Sequence, residues 1–244
     1  MKIGIGVCSY KRPDLATKVC EDILKTTDKN KHEIQTICSV DDHDTTGYEW
    51  IAENFGLIHG PNSGIPVNKN RLLHFLKDND VVFISEDDIC FKKSGWIDVY
   101  LRAIEQSGFQ HMNYIVSDYR KMIKKALKYE SIHLGLCGAY VNGVLMVMTK
   151  ECLNQVGAFD ERYNRYGYEH ADYTRRCRMA GMYHPKEHFH VMESTPYIDW
   201  IHTPSVIDES DKKKYIQHNA RIYHGAVPKI HIPISAEYTH VRPK

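Results

Sequence analysis

Over the first half of the chain, short continuous apolar runs that stop abruptly at polar residues alternate with stretches of helical periodicity. The most compact run, Val81-Val82-Phe83-Ile84, ends at three consecutive acids, Glu86, Asp87 and Asp88. A β-branched and aromatic run without alternation predicts a strand buried on both faces of a parallel sheet. Ile3, Ile5 and Val7, interleaved with Gly4 and Gly6, predict a first strand closing at Cys8-Ser9. Its glycines would let another backbone or a ligand come close. Pro13 stands where a helix begins, followed by Leu15, Val19 and Ile23 at four-residue spacing. Residues 34–40 predict a second strand ending at Asp41 and Asp42, then a short helix over 48–54 and a brief strand, Leu57–His59. Residues 60–64 (GPNSG) form a turn by their chemistry. A helix over 66–77 burying Leu72, Leu73 and Leu76 then feeds the acid-ended strand. Three βα units in succession predict a doubly wound α/β sheet, mostly parallel and flanked by helices, with ligands beyond the carboxyl ends of its strands.

The second half reads less regularly. Trp96, Ile97, Tyr100, Leu101 and Ile104 mark an amphipathic helix, and 114–117 and 139–149 are strand-like. Residues 121–128 (KMIKKALK) have the spacing of a basic helix, either a solvated face or an anion-binding one. Residues 154–178 hold a turn and a helix carrying Glu169, His170 and Asp172, and a helix is expected over 215–221. No repeat, low-complexity segment or linker breaks the chain, so residues 1–244 are expected to form one domain whose C-terminal extension folds back on it.

Composition narrows the classes. Hydrophobic residues at 42% and charged residues at 26% suit a globular protein. A net charge of +1 offers no global attraction to nucleic acid or a membrane surface. The opening MKIGIGVCSYKRP has too short an apolar run for a signal peptide, and no segment approaches the ~18 apolar residues of a membrane helix. Seven cysteines without a C-x-x-C pair fit reduced thiols, and the expected location is cytoplasmic.

The chemistry concentrates at strand ends. Three adjacent acids repel one another unless a cation lies between them, and magnesium or manganese takes one or two carboxylates and completes its shell with phosphate and water. The plain alternative is an acidic turn that keeps a strand end soluble. The turn Ser9-Tyr10-Lys11-Arg12 brings two cations and an aromatic to the end of the first strand.

Taken in order, these residues resemble the family-2 glycosyltransferases of the GT-A (Rossmann-like) fold, across roughly residues 2–223. Val7-Cys8-Ser9-Tyr10-Lys11-Arg12-Pro13 resembles the family's opening "V-x-T-Y-N-R-P", and Val40-Asp41-Asp42 its "V-D-D". Asn62-Ser63-Gly64 through Lys69-Asn70 is similar to "N-x-G…A-R-N", and Ile84-Ser85-Glu86-Asp87-Asp88 to "F-L-D-D-D". Val156-Gly157-Ala158-Phe159-Asp160-Glu161 nearly repeats "V-G-G-F-D-E", and Glu169-His170-Ala171-Asp172 stands at "E-D-x-D". The resemblance implies an inverting, metal-dependent hexosyl- or pentosyltransferase, using a UDP- or GDP-sugar, a hydroxyl acceptor and Mn2+ or Mg2+. It implies a donor-binding half (1–118), an acceptor-binding and catalytic half (119–223) and a tail (224–244). Ser9, Tyr10, Arg12, Asp41, Lys69 and Asp87 would hold the nucleotide sugar. Glu86 and Asp88 would flank the metal, with Asp88 the direct ligand and His202, or else His190, reaching it. His170 replaces the family's second acid. It would act as base, with Glu169 anchoring the acceptor hydroxyl and Asp172 nearby, although Glu169 could instead take the proton.

Three rivals stand beside this reading. His184, His188 and His190 lie within seven residues and could bind zinc. A nucleotidyltransferase would share the acids, but the Ser9–Arg12 turn lacks the glycines of a triphosphate loop. A catalytically dead sugar-binding relative is the third. The acceptor is a saccharide or another hydroxyl. A nucleic acid is conceivable through the basic 121–128 stretch but is disfavoured by the balanced charge.

Overall fold

The computed structural model describes residues 1–138, 142–225 and 227–235. In chain order the elements are β1 (Lys2–Ser9), α1 (Pro13–Thr26), β2 (Glu33–Val40), α2 (Glu49–Asn54), β3 (Leu57–His59), α3 (Ile65–Leu76), β4 (Val81–Glu86) and β5 (Ile89–Phe91). There follow α4 (Trp96–Ser107), β6 (His111–Asn113), α5 (Ser117–Arg120), β7 (Lys125–Lys128), β8 (His133–Cys137) and β9 (Leu145–Thr149). The chain continues through α6 (Lys150–Val156), α7 (Glu169–Met179), β10 (His188–Val191), β11 (Ile198–Trp200) and α8 (Glu209–Gly225).

The main sheet has the order β3-β2-β1-β4-β9-β6. Its first four strands are parallel and β9 runs against both β4 and β6, so the mostly parallel α/β sheet is as expected. The apolar run of β4 is central and buried because it pairs on both sides, with β1 and with β9. Gly4 and Gly6 admit a close neighbour, but it is a helix. A Cβ at Gly6 would stand 2.9 Å from Leu72, and one at Gly4 3.1 Å from Leu76. On the other face Phe83 packs edge-on against Trp96 and Tyr100 of α4, with ring centroids 5.0 and 5.8 Å apart. Helices thus clamp both faces, and every polar strand end is left at one rim.

Two small sheets complete the structure. The antiparallel sheet β10-β8-β7 includes residues 125–128 of the stretch 121–128, which forms no helix. Lys125–Lys128 pairs with β8 from Lys125↔Leu136 to Lys128↔His133, with Ala126 and Leu127 half-buried and both lysines exposed. A partner strand took the backbone hydrogen bonds that helical spacing had suggested would close locally. The strand expected at 114–117 lies earlier, at β6, and Ser117 instead opens α5. The run expected as 139–149 is strand only from Leu145, and residues 139–141 lie outside the described residues. The helix expected over 215–221 is longer, Glu209–Gly225.

Of the tail, described as far as residue 235, Ile232 folds back onto the end of α6. Its N–H donates to the Val156 carbonyl (3.1 Å), and its carbonyl accepts from the Ala158 N–H (2.7 Å). Residues 226 and 236–244, with His240, lie outside the described residues. All seven cysteines are free thiols. Among the described residues no helix is long and apolar enough to cross a membrane.

Candidate active site

The rim at the end of β4 is built by the ribbon of β5 and β11, paired from Ile198↔Phe91 to Trp200↔Ile89. The Ile201 N–H donates to the Asp88 carbonyl at 2.7 Å, which sets Trp200 and His202 beside that acid. Their rings meet edge-on, 4.9 Å between centroids. Asp88 Oδ1 is buried without a hydrogen-bond partner. Burial, then the charges of Glu86 and Asp87, push the Asp88 carboxyl up to about 7. Asp87 is treated differently. Burial raises it to about 6, but Arg12 pairs with one of its oxygens and the Ser9 hydroxyl donates to the other at 2.7 Å. Tyr48 closes this network, 2.9 Å from Ser9 Oγ and accepting from the Arg12 N–H at 3.1 Å. Arg12 also donates to Thr203 Oγ1 at 3.0 Å, tying the first turn to the C-terminal half. Between them lies a cleft of about 460 Å³, lined among others by Tyr10, Arg12, Asp88, Tyr166, Trp200 and His202.

Below the cleft, α3 is buried around its whole circumference at Asn68-Lys69-Asn70-Arg71. Successive helix positions point about 100° apart, so four neighbours fix four walls. Asn68 donates to the Ser39 carbonyl (3.0 Å), while Asn70 accepts from the Phe159 N–H (2.7 Å) and donates to its carbonyl (3.0 Å). Arg71 donates to Asp41 (3.0 Å) and to the Pro61 carbonyl (2.8 Å). Asp41 also accepts from the N–H groups of Ser63 (3.0 Å) and Gly64 (2.7 Å), while burial raises its carboxyl against those bonds. Its oxygens hold the 60–64 turn, so Asp41 shapes the cleft wall by holding that turn.

The third wall is the start of α7. Tyr168 precedes it in the left-handed region (φ 73°), as Lys11 (53°) and Arg165 (35°) do elsewhere on the rim. Such non-glycine residues cost about 1–3 kcal/mol each, and these three all border the site. His170 Nδ1 lies 3.0 Å from Glu169 Oε1. Glu169 is buried and also faces Lys69 Nζ at 3.6 Å. Burial alone would raise the Glu169 carboxyl, but His170 and then Lys69 bring it down to about 2. Lys69 Nζ is in turn 3.2 Å from Glu86 Oε1. A Cβ built on Gly143 would lie 2.9 Å from Lys69 Nζ, 3.1 Å from Glu86 Oε1 and 3.3 Å from His170 Cγ. Glu86 at the end of β4, Lys69 of α3 and the imidazole of α7 therefore converge on one point.

The structure brings together Ser9, Tyr10, Arg12, Asp87, Glu86, Asp88 and His202 on the cleft, and Lys69, Glu169 and His170 around Gly143. Four residues are placed otherwise than expected. Lys69 is wholly buried between two acids and does not line the cleft. Glu169, expected to anchor an acceptor hydroxyl, is buried behind His170. Asp172 faces away, accepting from Arg175 (2.7 Å), Arg176 (2.9 Å) and Tyr163 (3.1 Å). His190, the alternative metal residue, is buried, with one ring nitrogen accepting from the Ile115 N–H (3.3 Å) and the other 2.9 Å from Thr195 Oγ1. Its engagement, with His184 Nδ1 accepting from the Glu187 N–H (3.0 Å), removes the zinc trio. Burial pushes both His188 and His190 down to about 3. Sequence reasoning missed Tyr48, Thr203 and Gly143, whose roles depend on residues distant in the chain, Tyr48 being 36 and Thr203 191 positions from Arg12. The polar Asn68–Arg71 run inside an apolar helical pattern was the one local signal of a buried polar anchor.

Among the described residues, no three His, Cys, Asp or Glu stand close enough to cage a metal by themselves. The set that is present, a buried unpartnered Asp88 oxygen with Glu86 and His202 beside it, fits a divalent cation that completes its shell on a bound diphosphate.

Comparison with known structures decides the architecture. A mannosyltransferase from Pyrobaculum calidifontis, solved with GDP-Man and Mn2+, matches with a TM-score of 0.64 at 12% identity over 93% of this chain. GalNAc-T7 with UDP, GalNAc and Mn2+ matches at 0.62 and 9% identity over 92% of this chain, and S. aureus TarS with UDP at 0.57 and 13% over 93%. The chain has the GT-A fold. It spans 65% of the mannosyltransferase, 72% of the TarS chain and 48% of GalNAc-T7, so its GT-A core accounts for only part of those proteins. In sequence it is similar to an uncharacterized glycosyltransferase of Acanthamoeba polyphaga mimivirus, 23% identical over 188 residues, 72% of this chain and 73% of that protein. No family model matches. The likeness to GT-A glycosyltransferases expected from the motifs is thereby borne out.

Proposed function

We propose that this GT-A protein transfers a sugar from a nucleoside-diphosphate sugar to an acceptor hydroxyl, with inversion and with a divalent cation. The observation that carries the reading is the convergence at Gly143 of Glu86, the last residue of β4, with Lys69 and the Glu169–His170 pair. Relatives bound to GDP-Man or UDP, two of them with Mn2+, support the donor class. Residues 1–118 then supply the donor side and 119–223 the acceptor side.

Asp88 would be the direct ligand of Mn2+ or Mg2+, with His202 reaching it and Glu86 flanking it without holding it, and the ion would supply counter-charge to the leaving diphosphate. Ser9, Arg12 and Asp87 form a rigid, cross-linked wall on the nucleotide side, with Tyr10 held by Asn62 at 2.8 Å. Glu169 accepts from His170 Nδ1–H, and this tautomer leaves Nε2 free to accept a proton. The acceptor O–H gives its proton to Nε2 as its oxygen bonds to the anomeric carbon. The bond from that carbon to the phosphate oxygen breaks with its electron pair leaving on the diphosphate, and a single displacement inverts the centre.

A thermal-shift screen of nucleotide sugars, with and without Mn2+, identifies the donor. His170→Ala should then slow turnover by ~10²–10⁴-fold with donor affinity nearly intact. Normal turnover in His170→Ala together with loss in Glu169→Gln would assign the proton to Glu169. Release of pyrophosphate rather than nucleoside diphosphate would replace this reading with nucleotidyl transfer.

A further inference from the structure

Lys69 has no exposed side chain, yet its ammonium does not lack charge partners. It lies 3.2 Å from Glu86, 3.6 Å from Glu169 and 3.4 Å from the Gly143 carbonyl that it donates to, 5.6 Å from the centre of the Phe159 ring. Burial works against its charge, but Glu86 and Glu169 raise its pKa above the ordinary lysine value. A buried charge persists only where opposite charges and hydrogen bonds meet it on every side. Gly143 preserves that enclosure. Its φ lies outside the left-handed region, so the backbone there does not demand glycine, but a Cβ would strike Lys69 Nζ and Glu86 Oε1 at 2.9 and 3.1 Å.

We propose that Lys69 is a positioning residue, the protein's own counter-cation set between the donor and acceptor sides. Resting on the functional reading above, its role is twofold. It neutralises Glu86, so that the divalent cation is left to Asp88. It also holds Glu169 in the place from which Glu169 orients His170. Without Lys69, Glu86 would be a free carboxylate one residue pair from Asp88 and would join it in binding the cation, while Glu169 would lose the contact that sets the imidazole.

The test is Lys69→Met, which keeps length and burial and deletes the charge. Mn2+ uptake by the full chain is followed by electron paramagnetic resonance, with UDP and with GDP. Lys69→Met should bind Mn2+ more tightly, on the order of tenfold, because a cation has been removed from beside the site. Turnover should fall at the same time with donor KM unchanged or lower. Adding Glu86→Gln to Lys69→Met should return Mn2+ affinity toward that of the unaltered protein. A lysine with a merely structural role would weaken binding and turnover together. Equal or weaker Mn2+ binding by folded Lys69→Met overturns the proposal. If Lys69→Met does not fold, Glu86→Gln alone decides. It should change Mn2+ affinity less than about threefold where Asp88→Asn removes most of it, and equal losses overturn the proposal. Wild-type protein that takes up no Mn2+ with either nucleotide overturns the functional reading and this role with it. Wild-type uptake with an unresponsive Lys69→Met overturns this role alone.

Discussion

Two buried acids of this protein, Asp172 on α7 and Asp88 at the end of β4, are met in opposite ways. Around Asp172 the chain supplies two guanidinium groups and a phenol, so both oxygens are occupied. Around Asp88 it supplies two more acids and leaves one oxygen with no partner. The fold neutralises one carboxylate and leaves an oxygen of the other open, which is what the proposed metal role of Asp88 rests on. Asp172 ties together the turns of α7 through Arg175 and Arg176, and Asp88 is fixed at the cleft by the ribbon behind it. The same contrast separates Asp87, bound by Ser9 and Arg12, from its neighbour.

Breaking the contrast at Asp88 should give the largest effect. Asp88→Ala should reduce transfer by several kcal/mol of barrier, on the order of 10³-fold, and a chelator should do the same to the unaltered enzyme. Steady-state rates with a donor from the screen measure this, and undiminished turnover would remove Asp88 from the metal site. Asp172→Ala should act on stability instead. Two arginines, Arg176 fully buried, would lose their carboxylate, which typically costs about 3–5 kcal/mol. Denaturant unfolding reads that loss, and donor binding should persist at temperatures where the variant is folded.

A smaller effect sharpens the comparison through pH. With Asp88 at about 7, a proton competes with the cation below neutrality, so Mn2+ affinity should fall by about tenfold per pH unit there. Calorimetric titration at pH 5.5 and pH 8 would show it, and a flat profile would contradict it. The stability consequence has a definite sign. Asp87 and Asp88 both have raised values in the folded state, so they favour folding most below the ordinary carboxylate range, and that contribution is lost as pH rises through about 6 and about 7. In the metal-free protein, Asp88→Asn should therefore raise the melting temperature by a few degrees at pH 8, and by less at pH 5. A variant that melts lower at pH 8 would show that the charge of Asp88 has a partner after all.

The sequence by itself determined the sheet, the strand ends and the acids on them. β1 to β4 were legible because a strand buried on both faces must be apolar along its length, and because each unit carries its turn and helix beside it in the chain. Glu86, Asp87 and Asp88 were legible as a group for the same reason. Only tertiary structure decided which of them is neutralised, since Arg12 and Ser9 reach Asp87 from more than seventy residues away. It also decided that the basic stretch ends as a strand, Lys125–Lys128, because β8 offered hydrogen bonds that no local spacing records. The inward turn of Lys69, the occupation of Asp172 by arginines and the engagement of His190 all depend on which side chains burial brings face to face. Periodicity fixes which side of an element is buried. The charge that waits there is set by the elements packed against it, and those come from distant parts of the chain.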